Sequence, residues 1–156
     1  MRILIAAVGR LRGGPEADLT ADYLARAAAA GRGLGFQAVD LVEVEGKPSG
    51  DPRAEAVSLY RVTPDDARKI LLDERGAEWT SRQLAEKLAR WRDDGLPHAC
   101  FWIGGADGVA QSVKDQADEK LALGRQTWPH RLVRVMISEQ IYRAVTILSG
   151  NPYHRD

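Results

Sequence analysis

Apolar residues dominate the start of the chain, Met1-Arg2-Ile3-Leu4-Ile5-Ala6-Ala7-Val8, and stop at Gly9-Arg10. The run is far too short to cross a bilayer and lacks a small-residue cleavage site, so it predicts a first buried strand. Pro15 and Glu16 then lead into Leu19, Tyr23, Leu24 and a run of alanines, a helical pattern ended by the glycines between Gly31 and Gly35. Phe36 to Val44 alternates as a strand, and the stretch from Gly46 to Pro52, rich in Gly, Pro and Ser, reads as a loop. A short helix follows over 53–60, and Lys69 to Leu72 forms a short buried strand. Thr80 or Ser81 caps a helix carrying Leu84, Leu88 and Trp91 to a stop at Gly95. His98 to Ile103 is again apolar and runs into Gly104-Gly105-Ala106-Asp107-Gly108, with a helix expected through Val109 and Val113. Leu121 to Leu123 reads as a last strand. From Pro129, Leu132, Val133, Met136, Ile137, Ile141, Ala144, Val145 and Leu148 recur at steps of three and four, a long final helix.

Strands alternating with helices predict an α/β fold with a mainly parallel sheet flanked by helices, in which ligands bind beyond the carboxyl ends of the strands. The glycine turn at 104–108 lies at such an end. Glycine lets backbone N–H groups approach a ligand closely, but the same residues also make a plain tight turn, and spacing leaves both readings open. The stretch lacks the Lys-Ser/Thr of a P-loop and the G-x-G-x-x-G spacing of a dinucleotide site.

A length of 156 residues fits one domain spanning 1–156, and 44% hydrophobic with 28% charged residues is ordinary globular composition. The single Cys100 excludes an internal disulfide and a multi-cysteine zinc site, and suits a reducing, cytoplasmic location. His98 and Cys100 share one face of a strand, yet nothing else has ligand spacing, so no metal is expected. Formal charge is zero, which argues against binding nucleic acid by bulk electrostatics. The charge is nevertheless uneven: from position 125 to the end, Arg125, Arg131, Arg134, Arg143 and Arg155 face only Glu139 and Asp156. Of the four tryptophans, Trp79, Trp91 and Trp102 read as core or rim anchors, whereas Trp128 precedes Pro129-His130 in this basic segment. The apolar arc of the final helix is wider than one sheet face needs and predicts burial against a second subunit. The tail carries Tyr153, His154 and Arg155, a phenol, an imidazole and a guanidinium able to orient a base, move a proton and hold a phosphate.

Four ordered stretches carry a more specific pattern: Phe101-Trp102-Ile103-Gly104-Gly105-Ala106-Asp107-Gly108, then Thr127-Trp128-Pro129-His130-Arg131-Leu132-Val133-Arg134-Val135, then Glu139-Gln140-Ile141-Tyr142-Arg143-Ala144, and Asn151-Pro152-Tyr153-His154-Arg155. Together they resemble the ribosomal large subunit pseudouridine methyltransferase H family of the SPOUT superfamily. The chain departs from that pattern at Trp128, usually aliphatic, at Arg131, often proline, in the 124–126 loop and between Pro48 and Asp66. The resemblance implies a SPOUT-type fold with a C-terminal deep trefoil knot, a homodimer, and S-adenosyl-L-methionine as cofactor. It implies methylation at N3 of a pseudouridine in helix 69 of 23S rRNA, within the assembled ribosome. It also implies a cofactor pocket lined by Leu72, Gly104, Gly105, Gly124, Arg125, Gln126, Thr127, Trp128 and Pro129, with Arg143, Tyr153, His154 and Arg155 serving the substrate. Either His154 or Arg155 could answer for the N3 proton, as base or as a cation beside the developing anion. A non-catalytic α/β nucleotide- or RNA-binding protein is the alternative.

Overall fold

A computed structural model describes residues 1–46 and 51–155. Five strands, β1 (Arg2–Val8), β2 (Ala38–Val44), β3 (Ala67–Glu78), β4 (His98–Ile103) and β5 (Glu119–Ala122), form one sheet in the order β2-β1-β4-β3-β5. All pairings are parallel. Alternate residues sort the core onto two faces, as the pleat requires. Ile3, Ile5, Phe101 and Ile103 pack under α1 (Pro15–Gly31), α3 (Ser81–Asp93) and α5 (His130–Leu148). Val8, Cys100 and Trp102 pack under α2 (Pro52–Val62) and α4 (Gln111–Gln116). The helix ends follow local chemistry: Thr80 and Gln83 form a reciprocal capping box, and the Asp51 side chain accepts from Arg53 N beside Pro52. Most of the glycine- and proline-rich loop expected over 46–52 lies outside the described residues.

One strand differs from expectation. The sequence predicts an end at Leu72, but β3 continues to Glu78, and Leu121 of β5 pairs with both Leu72 and Ala77. The residues between bulge outward, with Asp73 Oδ1 accepting from Arg75 N at 2.9 Å. Pairing resumes because Gly76 has no side chain: a Cβ there would lie 2.6 Å from the Lys120 carbonyl carbon and 2.7 Å from Leu121 N. An apolar-run criterion stops at Asp73-Glu74-Arg75 and misses a strand whose polar residues occupy a bulge.

After β4 the chain leaves towards the α2/α4 face, whereas after β3 and β5 it leaves towards the α3/α5 face. Connections departing to opposite faces open a crevice at the carboxyl ends of these strands. Arg134 braces one side of this end of the sheet. Fully buried on α5, it donates to Val8 O and Gly9 O, each at 2.7 Å, and to Glu43 Oε2 at 2.6 Å.

Candidate active site

A cavity of about 450 Å³ occupies the crevice, a volume in the range of small-molecule sites. Its walls are the β3 bulge, Leu72 to Arg75; the β4 end and glycine turn, Ile103 to Ala106 with Gly108 and Val109; and the loop after β5. Lys114, His130 and Val133 complete it. Side chains have little room at two positions of the turn. A Cβ on Gly104 would collide with Val109 Cγ1, and one on Gly105 would come within 3.0 Å of both Glu55 carboxylate oxygens. The result is a concave wall of bare backbone, suited to a ligand that hydrogen-bonds main-chain groups.

Of the nine residues expected to line a cofactor pocket, Leu72, Gly104, Gly105, Gly124, Gln126, Thr127 and Trp128 all line this cavity. Arg125 and Pro129 are not among its walls. Arg125 is 93% exposed and pairs outward with Glu78 Oε1 at 3.2 Å, while Pro129 forms the N-cap of α5. The loop is tied across the cavity mouth: Thr127 Oγ1 donates to Glu74 Oε2 at 2.8 Å, and Trp128 Nε1 donates to Leu123 O at 3.0 Å. Sequence reasoning missed Asp73, Glu74, Arg75, Lys114 and His130; the glycine at 76 inside an otherwise strand-like stretch was the available sign of the bulge. His130 is held below the usual imidazole range, first by burial and then by Arg134 and Arg131.

The four expected substrate-serving residues lie elsewhere, and three of them meet. Arg143 donates to Glu139 Oε1 through Nε at 3.0 Å and Nη2 at 2.7 Å. Tyr153 Oη donates to the same oxygen at 3.0 Å, and the Tyr153 ring packs 4.7 Å from that of Tyr142. Burial, then Glu139, drives the Tyr153 phenol well above its ordinary range, keeping it a donor. Arg143 Nη1 lies 3.2 Å from His154 Nδ1. Arginine cannot accept, so in this contact Nδ1 is the acceptor. Arg155 is exposed. The tail is therefore pinned to α5 rather than frayed.

None of Arg143, Tyr153, His154 or Arg155 lines the glycine-walled cavity. Glu139, six residues beyond Val133 on α5, is roughly 9 Å further along the helix axis. It borders a second hollow of about 540 Å³ with Leu19, Tyr23, Trp79, Leu84, Met136 and Gln140. The apolar arc of α5 is partly covered by α1 and α3, yet Leu132 remains 40% exposed, as do Leu19 of α1 at 47% and Trp128 at 37%. Among the other expected residues, Trp102 is buried with Nε1 donating to Thr63 Oγ1 at 2.8 Å, and His98 pairs with Asp66 at 2.9 Å. Burial raises the Cys100 thiol to about 11. Among the described residues, no three His, Cys, Asp or Glu side chains gather to hold a metal ion, and no helix is long and apolar enough to cross a membrane.

A parallel sheet with a glycine-walled cavity across three strand ends defines an α/β protein with a small-molecule-sized hollow at its carboxyl edge. The family described as "Predicted SPOUT methyltransferase" matches residues 1–154. The chain is similar to a protein from Paracoccus denitrificans, 56% identical over 156 residues and the full length of both. It is also 53% identical to one from Hyphomonas neptunium, over 99% of each chain. Both relatives are named "Ribosomal RNA large subunit methyltransferase H". Among solved structures, a probable methylase family protein from Haemophilus influenzae shares the fold, with a TM-score of 0.50 at 13% identity over 99% of this chain and 70% of that one. The chain belongs to the SPOUT methyltransferases, and within them to the ribosomal RNA large subunit methyltransferase H family.

Proposed function

We propose that this protein is an rRNA methyltransferase that uses S-adenosyl-L-methionine to methylate N3 of a pseudouridine in helix 69 of 23S rRNA, in the assembled cytoplasmic ribosome. The observation that carries the reading is the cavity of bare glycine backbone at the ends of β3, β4 and β5, in a chain of this family. The cofactor would supply a methyl group already made electrophilic by its sulfonium. Leu72, Gly104, Gly105, Gly124, Gln126, Thr127 and Trp128 would hold it, and the protein's main task is then to align the target nitrogen for in-line transfer. A SPOUT trefoil knot in the C-terminal half, within a single domain, belongs to the same reading.

The tail residues would act on the target base as hydrogen-bond donors, cations or, for His154, the acceptor of the N3 proton. The N3 proton must pass to a base as the methyl group is transferred, and the negative charge that its departure puts on the ring until the N–CH3 bond forms is stabilised by a nearby cation. Arg143 and Arg155 supply permanent positive charge; His154 becomes a base only once Arg143 releases Nδ1, for which Glu139 offers the guanidinium another partner. Within one protomer no tail residue lines the cavity. A homodimer in which each tail completes its partner's cavity therefore fits the exposed Leu19, Leu132 and Trp128 and the second hollow that Leu19 borders. The test is transfer of labelled methyl to ribosomes containing unmethylated pseudouridine, compared with separated large subunits and a uridine-only control. Transfer requiring pseudouridine and the assembled particle is expected; no transfer despite cofactor binding would overturn the substrate.

A further inference from the structure

Glu55, in the first turn of α2, is only 7% exposed, and among the described residues its Oε2 has no hydrogen-bond partner. A buried carboxylate oxygen left unpaired carries an uncompensated desolvation cost, so its retention calls for a reason outside the packing of α2. Its surroundings are specific. Both oxygens lie against the place where a side chain on Gly105 would begin, and Oε1 lies 3.3 Å from the corresponding place on Gly46. Gly105 lines the glycine-walled cavity and Glu55 does not, so the carboxyl packs against a glycine that forms part of the cavity wall.

The acids that do line the cavity each hold one hydrogen bond and keep their charge. Asp73 accepts from Arg75 N, and Glu74 accepts from Thr127. Lys114 and Arg75 add positive charge to the same walls. Behind the turn, Glu55 presents an unpaired buried oxygen. Burial and the nearby Asp107 and Asp51 carboxylates disfavour its charge, and a cation entering the cavity works against that preference.

We propose that Glu55 is a specificity-determining residue that makes the cavity prefer the cationic methyl donor over its neutral, demethylated product. This rests on the cofactor reading above. S-Adenosylmethionine carries a sulfonium charge that S-adenosylhomocysteine lacks, while the two share nearly the same shape. A carboxylate in a low-dielectric wall distinguishes them by charge alone, whereas a group that merely shapes the turn acts on both alike.

The test is calorimetric titration of the full chain with each ligand, for wild type, Glu55→Gln and Glu55→Met. The second variant keeps side-chain length without a polar end and serves if the first does not fold. The expected result is S-adenosylmethionine binding weakened about tenfold, with S-adenosylhomocysteine changed less than about twofold. Equal weakening of both ligands would reduce Glu55 to a support for the turn, and no change in either would remove it from the site; both overturn the proposal. A wild-type chain that binds neither ligand would instead overturn the cofactor reading on which it stands.

Discussion

Replacing Arg134 with Met should test whether the carboxyl end of β1 is held by α5. The guanidinium is fully buried and satisfies three acceptors, Val8 O, Gly9 O and Glu43 Oε2. Burial lowers its affinity for a proton, and Glu43 works against that shift, so the charge is retained by its partners. Methionine fills much of the space but leaves both carbonyls without that donor. Glu43 keeps the Leu11 N–H, at 2.6 Å. Breaking a buried charged pair from one side costs about 3–5 kcal/mol. For a chain of this size that corresponds to a melting point lower by roughly 6–20 °C. Urea unfolding should be followed at several protein concentrations, since association raises apparent stability. Arg134→Lys should fall between, because an ammonium cannot reproduce the planar fork. Adding Glu43→Gln should recover part of the loss, as the stranded carboxylate is then neutral. A loss below about 1 kcal/mol for Arg134→Met, or no coupling to Glu43, would refute the brace.

Gly76→Ala should push β3 off β5 and displace the Asp73–Arg75 wall, abolishing cofactor binding with a stability loss of about 1–3 kcal/mol; unchanged binding would show that the bulge does not shape the cavity. His130 has a depressed proton affinity in the fold, so folding excludes its proton. Its penalty is absent above the unfolded imidazole range and grows as pH falls below it, and the acid-side loss of stability should shrink in His130→Asn. Tyr153→Phe and His154→Ala should reduce methyl transfer while cofactor binding, measured calorimetrically, stays within about twofold, since neither lines the cavity. Sedimentation at micromolar protein should show a dimer. Mixing a tail-truncated subunit with a Gly105→Val subunit should restore some transfer if each tail serves its partner.

Much of the architecture was legible along the chain, because the information is local. The 3.6-residue recurrence from Leu132 to Leu148, the alternation of Phe36 to Val44 and the Thr80 cap act over a few residues and need no partner to be read. The abrupt change from Phe101-Trp102-Ile103 to Gly104-Gly105 likewise marked where a cavity opens. The family pattern added the loop after β5, and Gly124, Gln126, Thr127 and Trp128 of that loop do meet Leu72, Gly104 and Gly105 around one cavity.

Only the tertiary structure decided what lies across the sheet. The bulge of β3 exists because Gly76 sits flush on the backbone of Lys120 and Leu121, a contact between segments with no local signature. Arg134 reads as one more surface arginine until Val8, 126 positions away, presents its carbonyl. Glu55 looks like an ordinary helix acid until folding buries it behind Gly105. The tail, linked to the cavity only by family pattern, has Tyr153 and Arg143 converging on Glu139, which borders the neighbouring hollow and not the glycine-walled cavity. Periodicity specifies which face of an element is buried; which residues meet across that face depends on register and packing, and those are settled only when the whole chain has folded.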